Sequence, residues 1–342
     1  MLTLDILYYR ILLNREDVYK MKNSTYFKLS EYWDWLFLQD DYRLLFSDKL
    51  WGDEQKRLFN KYVRNINIET SAFCNKKCVY CPLSKIDRKQ DYMSDEIWRK
   101  IIDELVSIGY SGRITLALFN EPLLDTSIEK KIREINDRLP NVLIALYSNG
   151  DFLTRDRLDK LVRSGMDWLL ITRHLEHGTE YNQQNEKTNT YRYIEELGLE
   201  EYIREYNEQN ENNTSYHLEY SIENKNLELY VVTNNWIVTG NSRGNEIECL
   251  KSQNVRELPC AKAIRDFNIS YKGQIKPCCN IYFGKNTNMG SIEEDGILHS
   301  YFIKLKNFRK EMFKFGKKTG GCMYCSDFDN AKIETKCIRD MI

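Results

Sequence analysis

The chain carries almost no net charge: 50 lysines and arginines stand against 51 aspartates and glutamates, a formal charge of −1 at pH 7. No overall basic field therefore draws it to nucleic acid or to anionic lipid. Long apolar runs are missing as well. Val142–Tyr147 and Trp168–Ile171 are among the longest and are far too short to cross a bilayer. The N-terminal MLTLDILYYRILL is interrupted by Asp5 and Arg10, and no small-residue cleavage site follows. It reads as a helix or strand face rather than a secretion signal, so the expected location is the cytoplasm. Histidines are scarce, four in all at 174, 177, 217 and 299, and prolines number five. No internal repeat is found. What is present, 42 % apolar and 30 % charged residues over 342 positions, is the balance of a soluble globular protein with one large domain or a core with appendages.

Cysteine is the abundant exception. Ten occur, and in a reducing compartment clustered cysteines read as metal ligands or redox groups rather than disulfides. Three lie within Cys74–Cys81, none in the next 167 positions, and seven within Cys249–Cys337. Thiols used only as small core residues would be scattered. These fall in two regions.

Residues 1–62 read as an aromatic-rich helical extension, with SEYWDWLFLQ and KRLFNKY placing apolar residues on one helical face. From about Asn65 strands and helices alternate. RNINIETSAF, RITLALFNEP, NVLIALYSNG and MDWLLITRH are strand-like. Between them lie the helices DEIWRKIIDELVSIG, N-capped by Ser94 and stopped at Gly109, TSIEKKIREINDRL, ended by Pro140, and TRDRLDKLVRSG. Segments 176–190 and 207–215 read as exposed loops around one helix near Tyr191–Tyr206, and YHLEYSIEN and NLELYVVTNNWIVTG as two more strands. Apolar strands alternating with helices of this length predict a parallel sheet of βαβ units, a partial or full α/β barrel with its chemistry at the C-terminal strand ends. From about Asn245 the composition shifts to short strands, turns and cysteines, which predicts a smaller metal-supported domain over 245–342 after a barrel over 63–244.

Cys74-Asn-Lys-Lys-Cys78-Val-Tyr-Cys81 sits where the first barrel strand ends. Three thiolates on a short loop hold three irons of a four-iron cluster and leave the fourth open to a small molecule. The competing reading is structural zinc, which wants four ligands, yet no fourth Cys or His lies nearby. A redox CxxC accounts for Cys78 and Cys81 and leaves Cys74 unexplained.

CNKKCVYC resembles the CxxxCxΦC signature of the radical S-adenosylmethionine enzymes, with Tyr80 at the aromatic position, and the resemblance runs along the barrel from Val63 to Gly244. FNEP at Phe119–Pro122 stands where that family carries GGEP; the glycines are absent, so Glu121 and the loop position carry over firmly. The resemblance implies that Asn120 and Glu121 hold the methionyl amino group, a carboxylate facing an ammonium. YSNG resembles the family's T-N-G strand ending and makes Ser148 and Asn149 candidate ribose contacts; the alternative for Asn149-Gly150 is a plain turn. Arg173 is either a two-pronged partner of the methionyl carboxylate or a solvated strand-end charge.

The C-terminal part contains LPCAKAIRDFNISYKGQIKPCC and then GGCMYC. NISYKGQIKPCC reads as a hairpin leading to ligands. The pattern is similar to the twitch domain, the shorter relative of the SPASM domain, in which four cysteines hold one auxiliary four-iron cluster. That implies Cys260, Cys278, Cys322 and Cys325 as its ligands. Two separated cysteine pairs are also how a zinc ribbon is built, so zinc stays open here. Cys249, Cys279 and Cys337 remain, one as an alternative ligand or hydrogen-atom donor and at least two as ordinary buried thiols. Of the five prolines, Pro82, Pro122, Pro259 and Pro277 each touch a proposed motif, and their rigid φ angles help fix it.

The resemblance thus implies an α/β fold: a partial (β/α)6 barrel with a helical N-terminal extension and a small cysteine-rich α+β twitch-like domain. It implies a [4Fe-4S] cluster bound with S-adenosylmethionine, one auxiliary [4Fe-4S] cluster, and a flavodoxin or ferredoxin reductant. Reductive cleavage of S-adenosylmethionine gives a 5′-deoxyadenosyl radical that takes hydrogen from a substrate C–H bond. A single auxiliary cluster points to net dehydrogenation of a small polyhydroxylated sugar or cyclitol. The N-terminal extension points instead to a peptide or protein maturase. A non-catalytic zinc-binding module is the reading from another class, and metal content separates it from both.

Overall fold

The computed structural model describes residues 32, 35–86, 88–175, 178–211, 215–224, 227–282 and 289–327. Four βα steps build its centre. Strands β1 (Asn65–Ile68), β2 (Arg113–Thr115), β3 (Leu143–Ser148) and β4 (Trp168–Arg173) alternate with helices α2 (Asp95–Ile108), α3 (Ile128–Arg138) and α4 (Arg155–Arg163), after α1 (Asp53–Tyr62). Helix α5 (Gln183–Glu196) and strands β5 (Ile203–Glu211), β6 (Ser215–Asn224) and β7 (Leu227–Asn234) follow, then β8 (Asp266–Ile269), β9 (Ile275–Lys276) and α6 (Lys306–Phe313).

One sheet takes all nine strands in the order β5-β6-β7-β4-β3-β2-β1-β8-β9. The six from β7 to β8 are parallel neighbours, while β5-β6, β6-β7 and β8-β9 pair antiparallel. Parallel strands covered by helices on their crossovers are buried on both faces, and the asparagines of β1 meet this by pairing, Asn65 Nδ2 donating to Asn67 Oδ1 at 2.9 Å and Asn67 Nδ2 to Asn268 Oδ1 at 2.8 Å. All four residues of β1 are buried, and β3 and β4 bury Ile144, Leu146, Leu169 and Ile171.

Local chemistry sets the helix limits. Ser94 Oγ accepts from the Ile97 N–H at 3.3 Å and starts α2, and Gly109 at φ 68° ends it in the left-handed conformation. Between them Ile97, Trp98, Ile101, Ile102, Leu105 and Ile108 face the core. Thr154 Oγ1 caps α4 in the same way, accepting from Arg157 N–H at 3.2 Å. Tyr32 donates to Tyr62 O at 2.9 Å, and the Arg64 guanidinium lies 4.2 Å over the Trp35 ring, so the described part of the N-terminal extension packs on α1.

Three segments depart from the sequence reading. Residues 183–190 are not loop but the first half of α5, and the helix expected near Tyr191–Tyr206 ends at Glu196. Residues 203–211 are an edge strand, β5. The expected hairpin forms, with Gly273 at φ 71° in its turn, yet its first strand pairs in parallel with β1, from Asn65 opposite Asp266 to Ile68 opposite Ile269. The cysteine-rich segment is thereby stitched into the barrel sheet itself. Among the described residues no helix is long and apolar enough to cross a membrane.

Candidate active site

The three cysteines of the first group leave the C-terminal end of β1 on a loop closed by a turn, Cys81 N–H donating to Cys78 O at 2.9 Å. The thiols are partly buried and feel one another. Burial first, then the neighbouring Glu121, Cys81 and Cys78, pushes the Cys74 thiol up to about 11. Burial likewise raises Cys78 and Cys81. Three thiols on one short loop are the donor type that holds an iron–sulfur cluster, and they would bind it as thiolates with release of their protons.

Tyr80 makes a wall beside Cys78. Its hydroxyl lies 2.9 Å from His174 Nδ1 and also hydrogen-bonds the Cys78 thiol, and the Trp236 ring stands 6.3 Å from the Tyr80 ring. Burial, then the charge of Lys76, pulls His174 down to about 4, so the imidazole is neutral. The sequence reading had placed His174 only at a strand end.

Glu121 is the hub opposite. It is 2 % exposed, and its carboxylate accepts from Leu123 N–H at 3.0 Å, Ser148 Oγ at 2.7 Å and Asn149 N–H at 2.7 Å. A carboxylate has about four lone-pair directions, so one acceptor position remains for an ammonium. Burial raises the carboxyl despite these donors. The Glu121 N–H in turn donates to Phe73 O at 2.7 Å, which clamps the loop after β2 to the residue before Cys74.

The other candidates are arranged around this hub. Asn120 Oδ1 accepts from Leu118 N–H at 3.1 Å, and among the described residues its buried Nδ2 has no partner. Its open atom is therefore a donor, which suits a carboxylate better than an ammonium. Ser148 Oγ accepts from Gly150 N–H at 2.9 Å, and Asn149 Nδ2 donates to Asn75 Oδ1 at 2.8 Å. Both brace the site. Arg173 Nη1 donates to Asn149 O at 2.9 Å and pairs with Asp151 at 3.2 Å, with its guanidinium 4.3 Å over the Tyr193 ring. Lys76 reaches the same Asp151 at 2.9 Å. Asn75, Lys76 and Asp151 were not singled out from sequence. Asn75 and Lys76 fill unspecified positions between Cys74 and Cys78, and Asp151 directly follows YSNG.

The second group assembles too. Cys260, Cys278, Cys322 and Cys325, far apart in sequence, line one enclosed cavity with Arg256, Lys262 and Asp327. Arg256 Nη1 lies 3.8 Å from Cys325 Sγ, Asn280 N–H donates to Cys278 Sγ at 3.4 Å, and Lys262 pairs with Asp327. Burial raises the Cys260 thiol, and Arg256 and Lys262 oppose it. Buried Arg256 and partly buried Lys262, the latter paired with Asp327, beside four thiols fit an anionic thiolate cluster. Among the described residues no three His, Cys, Asp or Glu side chains close on a point suited to a single metal ion. The Cys278 thiol hydrogen-bonds that of Cys279 and lowers it. Cys249 is exposed, its sulfur 3.7 Å from Val79 O beside the first group, and Cys337 lies outside the described residues.

Residues 68–205 match the sequence model of the Radical SAM superfamily. Over 116 residues the chain is 31 % identical to the S-adenosyl-L-methionine-dependent 2-deoxy-scyllo-inosamine dehydrogenase of Niallia circulans. That stretch is 34 % of this chain and 46 % of the relative, so it spans about half the length of the curated protein it matches. Among solved structures, BtrN in complex with AdoMet and 2-DOIA superposes with a TM-score of 0.57 at 20 % identity, covering 78 % of this chain and 94 % of that one. SeMet BtrN in an open conformation superposes at 0.52, also 20 % identical, covering 82 % and 94 %. At that identity the two structures share the fold.

Proposed function

We propose that this chain, whose residues 68–205 match the Radical SAM superfamily model, is a radical SAM enzyme that cleaves S-adenosylmethionine and dehydrogenates a small polyhydroxylated sugar or cyclitol. The observation that carries this reading is the clamp between Phe73 and Glu121, which sets a three-thiol loop beside a buried carboxylate with one acceptor direction free. Cys74, Cys78 and Cys81 would hold a [4Fe-4S] cluster. Glu121 would take the ammonium of the methionyl moiety, Asn120 its carboxylate, and Tyr80 with Trp236 would flank the nucleoside. When bound, the clusters supply and accept the single electrons that this chemistry exchanges.

The protein's own part is orientation and exclusion of water. Neutral His174 and the buried Tyr80 hydroxyl offer no free charge beside the thiols. Cys260, Cys278, Cys322 and Cys325 would hold an auxiliary [4Fe-4S] cluster, which makes residues 245–342 a twitch-like unit joined to the barrel of 63–244. The 31 % identical relative is named for a cyclitol amine, which supports a small polyhydroxylated substrate over a peptide. Free thiols at nine described cysteines support a reducing compartment, the cytoplasm, where a flavodoxin or ferredoxin supplies the electron.

Deuterium transfer tests the reading. Candidate sugars and cyclitols deuterated at each C–H position are incubated anaerobically with the reconstituted protein, reductant and S-adenosylmethionine. One position should pass deuterium into 5′-deoxyadenosine with formation of a carbonyl. Transfer only from a peptide would move the assignment to a maturase.

A further inference from the structure

A cavity of about 330 Å³ opens at the C-terminal ends of β1, β2 and β8. Its volume suits one ring-sized molecule. Phe119 and Tyr282 pack edge to face on its wall, with ring centroids 4.8 Å apart. Glu69 and Arg88 reach it from the first-cysteine side, and both are close enough for their charges to act on the Cys81 thiol. Lys276 reaches it from β9, two residues before Cys278. The cavity therefore borders residues tied to both cysteine groups: Glu69 and Arg88, whose charges act on Cys81, and Lys276, two residues before Cys278.

Its charges do not balance. The lining holds one carboxylate, Glu69, and four cations, Arg88, Lys89, Lys272 and Lys276. Glu69 is already used: it accepts from Arg88 Nη1 at 2.6 Å and from Tyr271 N–H at 3.2 Å. Lys89 pairs with Asp91 at 3.4 Å. Arg88 Nε is buried with no acceptor among the described residues. Lys276 is half-buried with its ammonium 5.8 Å from the Tyr282 ring centroid, and among the described residues no carboxylate comes within ion-pair distance. Glu69 is the carboxylate whose charge Lys276 feels, from beyond ion-pair distance and already paired with Arg88. A sheltered ammonium so incompletely matched is costly, and a ligand that brings a negative group offsets that cost.

We propose that this cavity is the substrate site and that the substrate carries an acidic group, a carboxylate or a phosphate ester, held by Lys276. This rests on the function proposed above and narrows it. An aminocyclitol would bring an ammonium against Lys276, whereas a sugar acid or a cyclitol phosphate would pair with it.

Calorimetric titration of the anaerobically reconstituted full-length protein decides the point. Myo-inositol, glucosamine, glucuronate, myo-inositol 1-phosphate and inorganic phosphate are the probes, with S-adenosylmethionine present throughout. Glucuronate or the inositol phosphate should bind at least about 10-fold more tightly than myo-inositol, and glucosamine no more tightly than myo-inositol. The tighter of the two acids identifies the acidic group, and inorganic phosphate binding alone would mark an anion site without a ring subsite and overturn the proposal. Lys276→Met should weaken the acid by about 10- to 100-fold, and Lys276→Arg should restore most of it. Equal affinities for acidic and neutral probes, or an unchanged Lys276→Met, would also overturn it. If Lys276→Met does not fold, the wild-type series and Lys276→Gln still decide. Substrate-free 5′-deoxyadenosine release, measured on the same samples, separates the two claims. Release without acid preference sinks only this proposal, and no release sinks the function on which it rests.

Discussion

Replacing Arg88 by methionine probes how the cysteine loop is held to the sheet. The Arg88 side chain is 7 % exposed and that of Glu69 1 %, with Nη1 and the carboxylate 2.6 Å apart. The other arm of the guanidinium donates to Phe119 O, so one residue ties the loop after Cys81 to the ends of β1 and β2. Without it, the Glu69 carboxylate stays buried with the Tyr271 N–H as its recorded remaining donor. Removing one partner of a buried pair costs about 3–5 kcal/mol, because the other charge is left uncompensated. In the double variant Arg88→Met, Glu69→Met no charge is stranded, and the two lost hydrogen bonds to backbone cost about 1–3 kcal/mol. The double variant should therefore be the more stable of the two.

The pH dependence has a definite sign. Burial already raises the Glu69 carboxyl, with Arg88 the strongest opposing influence, so Arg88→Met raises it further. A folded state that binds the proton more tightly than the unfolded chain loses stability as pH rises from the unfolded value through the folded one. The deficit of Arg88→Met should therefore grow between pH 5 and pH 8. Urea unfolding of the cluster-free protein, followed by circular dichroism at both pH values, measures it. A single-variant loss below about 1 kcal/mol at both, or a double variant no more stable than the single, would refute the reasoning.

Three further outcomes follow from the geometry. Glu121→Gln turns an amide N–H₂ toward one of three donors and removes the charge facing the ammonium. Anaerobic titration should show S-adenosylmethionine affinity lowered at least about 10-fold, and a change under 2-fold would contradict the hub. Cys260→Ser should lower iron content from about eight to about four per chain while leaving 5′-deoxyadenosine release in place; loss of all iron would mean that the two cysteine groups do not load separately. Ser94→Ala should cost about 1 kcal/mol in unfolding and Ser94→Asp almost nothing, since Asp also caps; equal losses would mean that the cap is not the cause.

How much of this was legible in sequence depends on how local the signal was. Apolar runs marked β3 and β4, alternation with helices of ten to fifteen residues marked β1 and β2, and Ser94 and Gly109 marked helix limits through chemistry confined to a few residues. Helix α5 and strand β5 were misread because QQNEKTNTYRYIEE and IREYNEQNE are polar at nearly every position, so neither period stands out. The pairing of β8 with β1 joins residues some 200 positions apart, and no local pattern encodes it. The two cysteine groups were visible by spacing. The cations beside them, Arg256 and Lys262, and the Glu69–Arg88 pair were not, because single charged residues look alike until folding buries them. Glu69 alone had a clue, a carboxylate one residue past a barrel strand, where such folds place their reactive groups.

The central claim is that Cys74, Cys78 and Cys81 support cleavage of S-adenosylmethionine. The most direct measurement is 5′-deoxyadenosine release, with iron and sulfide content, from anaerobically reconstituted wild type and from the variant carrying alanine at all three positions. The account predicts release from the wild type with about eight irons, and no release with about four irons from the variant. Zinc in place of iron, or no 5′-deoxyadenosine from the wild type, would contradict it.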